Sequence, residues 1–333
     1  MSGNWVPPRV NRVLNAKNLS FFLLGVLILI FLLRQIDLKE LRDQILGVRW
    51  ELFLAGAGVY FLKSCLRAVR LNRISADLSL PYLKTLRLSL ATSLATQILP
   101  FKLGELSYVY LLKQEKNAPA AQGLSALIVI RLMDLLAIGV LYLAVALALR
   151  SPQSGVQMMQ ALIFIGLLGA GMGLLMALSR LAPPVLEKVK AKSFPKENFL
   201  LRLIEWVEKF FRYFQAYRPL QFAQWMGLAL LEWIANYGMF HLLLLGMSVP
   251  VTFFQTATAV TFAAVASALP VNAVGSFGSQ EAGWTAALLL VQVDRQTAIT
   301  TAFSTHILTL AYIAFFGALA WLSYLLRLGS RPE

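Results

Sequence analysis

Apolar residues run along the chain in blocks long enough to cross a bilayer, which takes about 20 residues. Six segments fit that length or nearly so: 18–33, 50–66, 124–149, 156–178, 222–247 and 297–326. Two further blocks, 83–112 and 251–293, are apolar but broken midway by Leu99-Pro100 and Leu269-Pro270. Each break is followed by glycine and then a carboxylate. Proline and glycine end a helix. Non-helical backbone at membrane depth persists only where protein or a water-filled cavity covers it. Each broken block is therefore expected to be a re-entrant helical hairpin. A different pattern occupies 199–214, where apolar residues recur at helical spacing opposite Arg202, Glu205, Glu208, Lys209 and Arg212. That is a surface-lying amphipathic helix, with 37–48 as a weaker counterpart.

The broken blocks expose an internal repeat. The first has Leu99-Pro100, then Gly104-Glu105, then Arg131 in the following helix. The second has Leu269-Pro270, then Gly278 and Glu281, then His306 in the following helix. Each half holds two crossings, a hairpin and a third crossing. Three is odd, so the halves are inverted and their hairpins enter from opposite sides, an arrangement found in transporters. The expected fold is an all-α polytopic membrane protein with six spanning helices and two oppositely oriented re-entrant helical hairpins in an inverted repeat. Repeat 1 covers 18–149 and repeat 2 covers 150–326, between tails at 1–17 and 327–333.

Composition agrees with this pattern. The chain is 58% hydrophobic and 14% charged, whereas a soluble domain carries about 25% charged residues. A soluble globular enzyme is excluded. The net charge of +14 raises the question of a polyanionic partner, and the placement of the charges answers it. Nine basic residues fall in 179–221 and five in 67–87. Lysine and arginine mark the cytoplasmic side, and both loops share a side only if the broken blocks do not cross. Then 22 of the 30 basic residues lie on one side, with both termini cytoplasmic in a cell (inner) membrane. The charge sets orientation, and no nucleic-acid module is visible. The first apolar block follows Arg9, Arg12 and Lys17 but has no small-x-small cleavage site, so it reads as an uncleaved anchor. The single cysteine, Cys65, excludes an internal disulfide. His241 and His306 lack metal-ligand spacing, and neither metal nor cofactor is expected.

Ionisable residues inside a membrane are costly and mark function. The candidates for substrate binding are Lys102, Gly104, Glu105, Arg131, Ser276, Gly278, Ser279, Glu281 and His306. Gly278 is placed to begin a half-helix whose free N–H groups attract an anion, with Ser276 and Ser279 adding hydroxyls. The plainer reading makes Glu281 the third residue of a capping box, and the same applies to Glu105. Arg131 and Asp134 lie three apart on one face and are expected to pair, Asp134 as a structural partner. Arg131 is expected to contact a lipid phosphate or Glu105, and His306 to be a pH-sensitive partner of Glu281. Lys63 reads as lying near the inner interface and Glu232 as polar packing.

At these residues the chain resembles a known family. ILPFKLGELSYVYLL followed by IRLMDLL is similar to the first signature of the lysylphosphatidylglycerol synthase transmembrane-region family, a flippase-like group. ALPVNAVGSFGSQEAGWTAALLLVQV is similar to the second. The likeness extends over about 18–326. Ser107-Tyr108 stands where relatives commonly carry arginine. The resemblance implies translocation of a phospholipid or lipid-linked envelope precursor rather than enzymatic aminoacyl transfer. The partner implied is a membrane lipid with an anionic or lipid-linked headgroup. Two alternatives stay open. One is a membrane-embedded transferase, for example a glycosyltransferase, although no Asp-x-Asp occurs. The other is a non-transporting partner of an envelope-lipid enzyme.

Overall fold

The computed structural model describes residues 30–32, 34–35, 37–99, 103–116, 118–149, 154–191, 199–215, 219–268 and 277–328. The fold is all-α. In chain order the helices are α1 (Leu38–Leu46), α2 (Trp50–Ile74), α3 (Tyr82–Ile98), α4 (Leu103–Lys116), α5 (Ala120–Leu149) and α6 (Ser154–Ala191). They continue with α7 (Phe199–Gln215), α8 (Pro219–Gly246), α9 (Phe253–Ala268), α10 (Ser279–Leu290) and α11 (Arg295–Leu328). Among the described residues five helices, α2, α5, α6, α8 and α11, are long and apolar enough to cross a membrane. They match five of the six expected crossings. The other, 18–33, lies outside the described residues except for 30–32. The tail at 1–17 also lies outside them.

The exposure pattern is that of a protein whose solvent is lipid. Helix α6 leaves Leu162, Ile163, Leu167, Leu174, Leu181 and Val185 uncovered. An apolar surface of that extent has no place on a water-soluble monomer. The chain is a membrane protein.

Both broken blocks are helical hairpins. In the first, α3 and α4 run antiparallel, with Lys84 Nζ donating to Glu115 Oε2 at 2.8 Å across their open ends. In the second, α9 and α10 do the same, with Gln255 Nε2 donating to the Val291 carbonyl at 3.3 Å. Glycine allows both close approaches. A Cβ on Gly104 would stand 2.2 Å from the Thr96 Cα, and one on Gly283 would stand 2.6 Å from the Phe262 carbonyl oxygen. At 1.5 Å per residue the four helices span only about 18–25 Å, short of the roughly 30 Å hydrocarbon core.

Helices α2 and α8 pack along each other at the centre. The α3–α4 hairpin lies against α11 and α2, and the α9–α10 hairpin lies against α5 and α8. Each second hairpin helix touches the helix that follows it, α4 on α5 and α10 on α11. The short helices repeat the pattern, α1 on α11 and α7 on α5 and α6. Exchanging α1, α2, α3, α4 and α5 for α7, α8, α9, α10 and α11 reproduces these packing pairs except α7 on α6, which has no counterpart among the described residues.

Two features differ from the sequence reading. Helix α2 does not stop at 66 but continues to Ile74, so Arg67, Arg70 and Arg73 are helical. Counting loop basics assumes that arginine leaves the helix for water. Here Arg70 is fully buried, because carboxylates on neighbouring helices receive it. Second, the expected surface helix is present as α7, fastened to α6 by charge as well as by apolar packing. Glu208 accepts from Lys190 Nζ at 2.5 Å and from Arg212 Nε at 2.9 Å, and Arg212 also contacts Glu187.

The Lys190 hydrogen bond, aided by Arg212, holds the Glu208 carboxyl below its ordinary range. A depressed carboxylate stabilises the fold above its unfolded pKa of about 4.3, and that contribution is lost as pH falls through the lower folded value. Acidification to about pH 3 is expected to lower the amide protection factors of α7, measured against the intrinsic exchange rate at each pH, with a smaller acid response in Glu208→Gln. A second test uses glycine. Gly104→Ala is expected to cost about 1–3 kcal/mol through overpacking. Gly166→Ala, where a Cβ meets nothing within 4 Å, is expected to be neutral or to gain about 0.5–1 kcal/mol. Thermal unfolding in detergent reads both.

Candidate functional site

A cavity of about 260 Å³ opens among α2, α3, α4, α5, α8 and α11, with Gln280 of α10 completing its wall. Its charged lining is Lys63 and Arg67 from α2, Glu105 from α4, and Arg131 and Asp134 from α5. Lys63 and Arg67 are four apart and therefore share a face of α2. Arg70 continues that face inward.

Arg70 ties three helices. Its Nη2 donates to Asp134 Oδ1 at 2.6 Å and lies 3.0 Å from Glu232 Oε2 on α8. Arg67 Nε donates to Glu232 Oε1 at 2.7 Å. Asp134 also accepts weakly from the Trp233 indole at 3.4 Å. Beside this network Arg131 grips Glu105 with two bonds, Nε to Oε2 at 3.0 Å and Nη2 to Oε1 at 2.6 Å. Bidentate pairing of this kind fixes orientation as well as energy. Arg131 stands 3.9 Å from Asp134, so its principal partner is Glu105 rather than the neighbour three residues along. The Arg131 side chain remains 49% exposed to the cavity.

Lys63 is placed differently. Its Nζ donates to the Asn236 amide oxygen at 2.6 Å and sits 4.9 Å above the Tyr60 ring. Among the described residues it has no carboxylate partner.

The second half carries the matching pair, Glu281 with His306 Nδ1. Here both side chains are buried, at 0% and 2% exposure. The other Glu281 oxygen accepts from the Gly278 amide at 2.7 Å, the carboxylate half of a capping box. Gly278 has φ 112°, a conformation open to glycine at little cost. The start of α10 is thus covered by the chain's own carboxylate, which is where an anion was expected to sit. Ser279 is buried beside it.

The structure therefore brings together Glu105 with Arg131 and Glu281 with His306, and it places Gly104 at the tight crossing of the first hairpin. Arg131, Glu105, Asp134 and His306 line the cavity. Gly104, Gly278, Ser279 and Glu281 do not line it. Lys102 and Ser276 lie outside the described residues.

From sequence alone Lys63 reads as near the inner interface, Glu232 as polar packing because it has no counterpart in the repeat, and Arg67 and Arg70 as loop charges, while Asn236 is passed over. The polar positions of α3 are passed over as well. Ser89, Thr92, Ser93, Thr96 and Gln97 recur at intervals of three and four, and all five face the cavity. That helical period was visible and is the signal that would have found them. The side-chain oxygens of Ser89, Thr92, Gln97 and Thr309, and His306 Nε2, are buried without a hydrogen-bond partner among the described residues. Unsatisfied buried polar atoms are uncommon and call for a ligand or water. No group of three or more metal-ligating side chains occurs among the described residues.

Comparison with known families adds one finding. A family model described as lysylphosphatidylglycerol synthase TM region matches residues 19–317. No curated protein and no solved structure matches the chain.

The central ion network gives a stability test. Removing one partner of a buried pair costs about 3–5 kcal/mol. Glu232 still faces Arg70, so Asp134→Asn is expected at the lower end of that range. Asp134→Asn combined with Glu232→Gln should exceed it, since Arg70 then loses both carboxylates. Thermal unfolding in detergent measures the difference.

Proposed function

Because the chain belongs to the lysylphosphatidylglycerol synthase transmembrane-region family, we propose that it moves a membrane lipid between leaflets, as a flippase or transporter rather than an enzyme. The carrying observation is the cavity itself: a charged, hydroxyl-lined space enclosed by helices whose outer faces are apolar. A headgroup needs such a polar place to leave one leaflet, while its chains stay in the lipid that bathes α6. Both hairpins contribute to the wall, and neither has helices long enough to cross. That supports the re-entrant, inverted-repeat reading with six crossings, as does the correspondence of packing pairs between the halves.

In this reading Arg131 contacts the lipid phosphate, and Glu105 positions the guanidinium by its two bonds. Lys102, three residues before Glu105 in the sequence, adds positive charge. The protein sits in the inner membrane with both termini cytoplasmic, and α7 lies on the cytoplasmic surface, where an envelope-biosynthesis enzyme can dock.

Two measurements test this. In proteoliposomes carrying a headgroup-labelled phospholipid, the purified chain should accelerate leaflet transfer over empty vesicles. Arg131→Ala and Glu105→Ala should slow that transfer about ten-fold or more, as expected for loss of a charged hydrogen bond. Wild-type chain that transfers no lipid overturns the proposal. For topology, single cysteines at Leu83 and Lys116 in a Cys65→Ala background should label from the same side. Cysteines at Phe254 and Leu290 should label from the other. Opposite labelling of the two ends of one hairpin removes the re-entrant reading.

A further inference from the structure

We infer that the cavity selects an anionic headgroup, a phosphate bearing neutral hydroxyls, and rejects one carrying an added ammonium such as an aminoacyl ester. This rests on the flippase reading and names its substrate class.

The argument begins with which charges are already spent. Glu105 is held by Arg131, Asp134 by Arg70, and Glu232 by Arg67 and Arg70. Glu281 is held by His306 and the Gly278 amide. Among the described residues every carboxylate around the cavity has a partner, so none of them receives an ammonium without abandoning that partner. On the other side of the balance, the contacts of Lys63 among the described residues are an amide oxygen and an aromatic face, with Glu232 acting on it at longer range. A cation drawn from water without a counter-ion carries an uncompensated desolvation cost. A phosphate in the cavity supplies the missing charge. Arg131, half exposed there, adds a planar donor group suited to phosphate oxygens.

The neutral groups complete the match. Ser89, Thr92, Gln97 and Thr309 are part of the cavity wall, and their hydroxyls and the Gln97 carbonyl oxygen are buried without a hydrogen-bond partner among the described residues. His306 Nε2 is in the same position. Hydroxyls that both donate and accept, beside a neutral amide oxygen, suit the hydroxyls of a glycerol or sugar attached to phosphate.

The test is competitive binding to the full chain in detergent, read by native mass spectrometry. Phosphatidylglycerol is offered against lysyl-phosphatidylglycerol and phosphatidylethanolamine. Phosphatidylglycerol should be retained about ten-fold over both, the usual worth of a charged hydrogen bond. Lys63→Gln should erase most of that preference and Lys63→Arg should keep it, at unchanged melting temperature. Free glycerol phosphate is added as the same chemistry without chains. Lipid retained in its presence identifies a lipid ligand, and lipid displaced by it identifies a soluble one, either result supporting the anion site. Equal or tighter binding of the lysyl lipid by wild type overturns the selectivity while leaving lipid transport standing, and needs no variant to fold. An unchanged preference in a folded Lys63→Gln overturns the role of Lys63. Failure to bind any of the lipids removes the flippase reading together with the selectivity.

Discussion

The buried guanidinium of Arg70 is the contact on which the rest of this structure depends. It is fully enclosed, and its two carboxylate partners come from α5 and α8. Three of the five long helices are therefore joined through one side chain on α2. Apolar packing cannot supply such a join in a bilayer, since lipid tails compete for every leucine as well as another helix does. Polar contacts are specific where apolar ones are not. A charge at this depth is held only if its partners are present, so the two carboxylates that meet Arg70 Nη2 fix how α2, α5 and α8 sit together. Arg70 Nε and Nη1 are without a hydrogen-bond partner among the described residues.

That arrangement also creates the cavity. With Arg70 taking Asp134 and Glu232, the next basic residues along the same face of α2, Arg67 and Lys63, are directed into the space between α2, α3 and α5. Arg67 finds the remaining oxygen of Glu232. Lys63 finds an amide. The surplus positive charge is thus a consequence of three cations on one helix face meeting too few acids. The same construction that fixes the bundle leaves its interior receptive to an anion.

Much of this was legible in the sequence, and what was not has a physical cause. The two breaks at Leu99-Pro100 and Leu269-Pro270, each followed by glycine and a carboxylate, located both hairpins. The spacing from Glu105 to Arg131 and from Glu281 to His306 anticipated contacts that the structure contains. These signals are local or periodic, and local patterns survive into the fold. The end of α2 was misplaced because hydropathy falls at Arg67, and hydropathy alone cannot see the acids at 134 and 232 that let the helix continue. The cavity hydroxyls were missed because serine and threonine are small and near the middle of the hydropathy range, so their helical period does not stand out in an apolar block.

The two carboxylate–cation pairs occupy corresponding places yet differ in solvation. Arg131 and Glu105 are 49% and 18% exposed, whereas His306 and Glu281 are enclosed. The cation chosen at each place fits its surroundings. Arginine keeps its charge in any setting and suits a position where water or an anion reaches it. Histidine is the smaller group, and it is enclosed beside a carboxylate that also caps α10. The repeat therefore preserves a contact while changing its chemistry. One half presents a guanidinium to the cavity, and the other closes the helix end and presents an imidazole ring. That difference follows from residue identity at equivalent positions, and it gives a structure built from like halves a site with two unlike walls.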